Sequence, residues 1–167
     1  MSAWRGIGVT AAAILAAAGC AGEAQLTLPA ETDLEGLYGP GVTVTLTGNV
    51  VDVSARQSPD QLRRGGELWA KVGPYIYLFS PQSKDLFEAY TGVGGVRVRT
   101  YDYADRLIAE AILERGVLNS LTWPKALNLV GRARLEGTQR PSYMIDLVEY
   151  GEETVRYEYS SRYVREP

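Results

Sequence analysis

The chain has 167 residues, 46% hydrophobic, 22% charged and 10% aromatic, with 17 basic against 20 acidic side chains and a net charge of −3. That size and composition suit one globular domain, and the acidic balance argues against a protein built to grip phosphate backbones. With no His and a single Cys, Ser–His–Asp and Cys–His nucleophiles, CxxC metal sites and an internal disulfide are all excluded.

The chain opens Met-Ser-Ala-Trp-Arg and then runs from Ile7 to Ala18 in Ala, Ile, Leu, Val and Gly with one Thr. An apolar stretch of that length behind a positive flank, Arg5, has the form of a secretory signal and is too short for a membrane span. It closes on Ala17-Ala18-Gly19-Cys20, and Cys20 is the lone cysteine. This resembles the bacterial lipobox, although Ala17 stands where that pattern prefers Leu. The resemblance implies a lipoprotein signal peptide over residues 1–19, cleavage between Gly19 and Cys20, and acylation of Cys20. Two or three acyl chains anchor a protein stably where one does not. Ala21 follows the cysteine in place of the Asp that often retains such proteins at the inner membrane. The expected location is therefore the outer membrane if the cell has one, and otherwise the outer face of the plasma membrane.

Residues 20–41 read as a flexible tether, acidic and rich in small and breaker residues, with a short ordered piece around Leu34 to Tyr38. A single β-rich domain is then expected over residues 42–167. From Val42 to Val53 apolar residues alternate with Thr, which predicts one strand bulged at Gly48. Ser54 to Gly66 reads as a polar loop. Leu68 to Phe79 reads as one strand bent at Gly73-Pro74 or a short hairpin turned there, with Trp69, Tyr75, Tyr77 and Phe79 sharing one parity.

A helical turn capped by Ser83 is predicted within Pro81 to Tyr90, and a strand at Val96 to Arg99. Gly92-Val93-Gly94-Gly95 lies between them, in the reverse order to a phosphate-cradling loop, and reads as a turn. The strongest helix signal falls over Leu107, Ile108, Ala111 and Ile112, capped by Asp102 and stopped by Gly116. Beyond a helix start at Pro124, the alternation Leu127, Leu129, Gly131, Ala133, Leu135 predicts a strand. Further strands are expected at Ser142–Tyr150 and Thr154–Val164.

The sum is a mainly β, α+β domain: about six strands, mostly antiparallel, as an open meander sheet or a partly closed barrel, with one or two short helices. The order of elements over Val42 to Tyr150 resembles an oligonucleotide/oligosaccharide-binding (OB) barrel. No functional residue is carried over from that resemblance.

Two groups of side chains could form a ligand surface. The row Trp69, Tyr75, Tyr77 and Phe79 could stack on sugar rings, or could simply fill a core. The pairs Arg97/Arg99 and Arg132/Arg134, each two apart on a strand, could clamp an anion or pair with acids on neighbouring strands. No catalytic residue, metal site or cofactor is expected. The leading expectation is a non-enzymatic, lipid-anchored cell-envelope protein, bound to the membrane through Cys20 and to an envelope protein or polymer, without nucleic acid. Its alternatives are a glycan- or lipid-binding module, and a carboxylate-dependent hydrolase, which would need two acids about 5–9.5 Å apart in a cleft.

Overall fold

The structure, a computed structural model, describes residues 26–165. The expected signal peptide, Gly19, Cys20 and the first part of the tether lie outside that range. The elements are α1 (Glu31–Leu34), β1 (Val42–Thr47), β2 (Val50–Arg56), α2 (Pro59–Leu78), α3 (Pro81–Ala89), β3 (Gly95–Tyr101), β4 (Leu107–Glu114), α4 (Trp123–Glu136), α5 (Ser142–Thr154) and β5 (Arg156–Tyr159). The strands lie in the order β1-β2-β3-β4-β5. All neighbours are antiparallel except β2 and β3, which are parallel and joined through α2 and α3. The domain is α+β as expected, but its sheet is open rather than closed into a barrel.

One face of the sheet carries Val51, Val53, Val96, Val98, Ala111 and Leu113 into the core, against Val72, Tyr75, Leu78 and Phe79 of α2 and Leu147 and Val148 of α5. Burying such side chains contributes about 1.5–3 kcal/mol each. α2 lies on β3 and β4, and α5 packs on α2. The approach of α5 depends on Gly151: a Cβ there would stand 2.5 Å from the Tyr75 ring.

Several expected elements change type. Gly48 does not bulge one strand but turns the chain between two, with Thr47 opposite Val50. Its φ of +63° beside an Asn49 at negative φ is the pattern of a II′ hairpin turn. The expected loop at Ser54–Gly66 is the end of β2 and the start of α2. Ser58 caps that helix, accepting from the Asp60 N–H at 3.2 Å, while the Gln61 side chain accepts from the Ser58 N–H at 3.3 Å.

The expected strand at Leu68–Phe79 is the second half of α2, beyond a break at Gly66 (φ +54°). Tyr75 and Phe79 stand one helical turn apart and stack at 6.0 Å. In α3 the cap is Ser80, which accepts from the Ser83 N–H.

The strongest predicted helix is β4, a strand between β3 and β5. Its small Ala109 and Ala111 face inward and let α2 lie close. Asp102 caps no helix; it organises the β3–β4 turn. Conversely, the strands expected near Leu127–Leu135 and Ser142–Tyr150 are α4 and α5. Their buried residues recur at helical spacing: Trp123, Ala126, Val130 and Ala133, then Met144, Leu147, Val148 and Gly151. The last strand is shorter than expected and ends at Tyr159.

Residues 26–41, expected as tether, lie against the domain. Leu34 is buried in the core. The Tyr38 hydroxyl reaches Ser83 Oγ at 2.7 Å, and the Gly92 N–H donates to Thr27 O at 2.7 Å. Contacts with the rest of the domain thus extend back to Thr27.

Candidate functional site on the open face of the sheet

The helices cover one face of the sheet, and strand alternation sends Thr43, Thr45, Asp52, Ser54, Arg97, Arg99, Glu110, Ile112, Arg156 and Glu158 to the other. Register brings their charges together. Asp52 lies beside Arg97, Arg99 beside Glu110, and Glu110 opposite Glu158. Asp52 Oδ1 accepts from Arg97 at 3.3 Å and from Arg99 at 3.2 Å, and Arg99 Nε also donates to Glu110. Arg97 Nε lies 3.9 Å from Glu110.

Arg97 and Arg99 thus form a four-residue lattice with two acids, Asp52 and Glu110, on the neighbouring strands. Burial works against the Arg99 charge, but the hydrogen bond and charge of Glu110, with that of Asp52, prevail and raise its pKa. The lattice presents alternating charge, with both cations already neutralised.

Arg132 and Arg134 do not join this surface, because they stand on α4 rather than on a strand. The Arg132 guanidinium lies 3.9 Å from the Tyr143 ring centre, and Arg134 donates to Ile76 O at 3.0 Å. Both hold helices together.

The aromatic row is dispersed as well, because residues two apart on a helix point some 200° from one another. Tyr75 and Phe79 are fully buried and cannot touch a ligand. Trp69 and Tyr77 are half-buried, and Tyr77 packs edge-on against Tyr38 at 6.2 Å.

The Tyr75 hydroxyl belongs to a polar cluster that joins α2, α5 and β5. Tyr159 donates to Glu152 at 3.1 Å, Lys71 Nζ donates to the same carboxylate at 3.0 Å, and the Tyr75 and Tyr159 hydroxyls lie 2.6 Å apart. Burial pushes both tyrosine pKa values up, so neither hydroxyl ionises near neutrality. The cluster satisfies buried polar atoms.

A groove of about 550 Å³ lies between α3 and the start of α4, lined by Phe87, Leu113, Arg115, Leu118, Trp123 and Leu127 among others. Phe87 and Trp123 stand 6.4 Å apart. The Arg115 guanidinium is spent on the carbonyls of Phe87, Tyr90 and Val93.

Asp102 is a carboxylate held by several donors. The Tyr163 hydroxyl, then the Arg106 backbone N–H, hold its pKa far below the carboxylate range, with Arg106 Nε and the Ala104 N–H adding to them. A pKa depressed in the folded state gives stability that is complete above the unfolded value of about 3.9 and is lost as pH falls towards the folded one. The stability gap between wild type and Asp102→Asn is therefore expected to narrow from pH 6 to pH 2.5 in denaturant titrations. A gap independent of pH would mean that the charge is not what stabilises the turn.

Sequence reasoning missed Asp52 and the groove. Asp52 had a legible signal, a lone acid on the polar parity between Val51 and Val53. The groove residues come from α3, β4 and α4, which only packing brings together. No family model, curated protein or solved structure matches this chain.

Proposed function

We propose that this is a lipid-anchored cell-envelope protein in which Cys20 carries the anchor and the following domain is a non-catalytic binding or structural module. One observation carries the reading: the lone cysteine stands directly after the small residues that close the apolar run Ile7–Ala18. The geometry of the domain is compatible with it. Leu26, the chain neighbour of Thr27, whose backbone N–H donates to Thr91 Oγ1, is six residues from Cys20. Six residues span at most about 21 Å, so an acylated Cys20 would hold the domain beside the bilayer. The partner is an envelope protein or polymer. The neutralised lattice of Arg97, Arg99, Asp52 and Glu110 favours a surface of mixed charge over a single anionic ligand.

A second reading, a glycan- or lipid-binding module, draws on the groove, where Phe87 and Trp123 take the place expected of Trp69 and its neighbours.

Expression of the full chain in a bacterial host tests the anchor. Cys20→Ser is expected to move the protein from the membrane fraction to the soluble fraction without changing its melting curve. The wild type extracted from membranes is expected to have the intact mass of residues 20–167 plus diacylglyceryl and acyl groups. An unmodified chain, or a variant retained in membranes at the wild-type level, would overturn the proposal.

A further inference from the structure

The two edges of the sheet are built differently. β5 is four residues long and carries Arg156 and Glu158; short, charged edges resist pairing with other chains. β1 is a six-residue run, Val-Thr-Val-Thr-Leu-Thr, with no charge, no Pro and no irregularity in its register with β2. It is hydrogen-bonded to β2 alone in the sheet. Among the described residues, no backbone hydrogen bond outside that ladder involves residues 42–47.

Every second N–H and C=O of β1 therefore points outward without a backbone partner among the described residues. A two-residue turn makes Thr47 and Val50 the hydrogen-bonded closing pair, so alternation assigns the outward groups to Val42, Val44 and Leu46. The side chains of those three residues are only part-buried at the rim of the core.

We infer that β1 is an assembly edge, at which a second copy of this chain adds its own β1 antiparallel and joins two five-stranded sheets into one of ten. An open ladder is a template for another extended strand, and the sequence of β1 is suited to itself. Residues opposed in an antiparallel pair share a face, so self-pairing must set like parity against like. A two-fold axis at Val44 does this. It sets Val42 opposite Leu46 of the second copy, Thr43 opposite Thr45, and Val44 opposite itself. The same axis pairs the residues whose backbone groups point outward.

Apolar side chains then meet on the helical side and threonines on the open side. A strand without charge brings no repulsion between the copies. The contact is isologous, so assembly stops at two. The inference stands on the sheet alone and does not depend on the anchor.

Sedimentation of the full chain in a nonionic detergent tests it, with Thr43→Lys/Thr45→Lys placing like charges opposite one another across the axis. Both threonines are exposed, so melting curves should stay close to the wild type. The expected results are a dimer at tens of micromolar and a dimerisation constant at least tenfold weaker in this variant. Thr43→Lys/Thr45→Glu, which sets opposite charges against one another, should restore pairing. A monomeric wild type, an unweakened double-lysine variant, or a Lys/Glu variant no tighter than the double-lysine one would each overturn the inference.

Discussion

Replacing Phe79 by Ala is expected to destabilise the domain by about 3–5 kcal/mol, the range for emptying a buried aromatic site. Phe79 follows the last residue of α2, and its backbone N–H still closes that helix on Tyr75 O. Its ring is fully buried, stacked on Tyr75 at 6.0 Å and tilted against Tyr150 at 5.3 Å. Because Tyr150 belongs to α5, the ring holds the two helices together over the sheet. Collapse into the void is restricted at Gly151, where α5 lies so near the Tyr75 ring that a Cβ would stand 2.5 Å from it. For a domain of this size, the loss corresponds to a fall in Tm on the order of 10 °C. A variant that melts within 2 °C or so of the wild type would mean that α2 and α5 are held by other contacts.

The second large effect is expected on the opposite face. Arg97→Met/Arg99→Met removes both guanidinium groups from Asp52, a carboxylate only 8% exposed, and leaves its charge without a side-chain partner. The expected cost is about 2–4 kcal/mol, below the upper range for buried pairs because the arginines are 28% and 31% exposed. The distinguishing result is reversal: adding Asp52→Asn to the double variant should recover part of the loss, because a neutral amide needs no counter-charge. Urea unfolding of the wild type, double and triple variants reads this directly. A triple variant less stable than the double would show that the arginines contribute through packing of their alkyl stems rather than by neutralising Asp52.

Both effects rest on residues that the sequence marks as a set, though not always in the arrangement it suggests. Arg97 and Arg99 were legible as a same-face pair because strict alternation, Val96-Arg97-Val98-Arg99, has a single structural meaning. Trp69, Tyr75, Tyr77 and Phe79 were legible only as aromatics. Their shared parity suggested a strand, while Leu68, Val72, Tyr75 and Phe79 repeat at helical spacing in the same twelve residues. Gly73-Pro74 argued against the helix, yet both lie inside it and are buried. At Leu127–Leu135 the residue that spoiled the strand pattern, Val130, is the one the helix buries.

The sequence by itself determined the charge balance and the alternating strands at Val42–Val53 and Val96–Arg99. Those features depend on local spacing and composition, which a linear reading preserves. Only the tertiary structure decided that Leu107–Glu114 is a strand, that β2 and β3 run parallel, and that Asp52 neutralises both arginines. The physical reason is that these outcomes are set by partners far along the chain. Leu-Ile-Ala-Glu-Ala-Ile-Leu-Glu has good helix formers, but β3 and β5 supply it with hydrogen bonds on both sides, and its small alanines admit α2. The preference of a few residues for helix amounts to tenths of a kcal/mol each, and a paired, buried strand outweighs it.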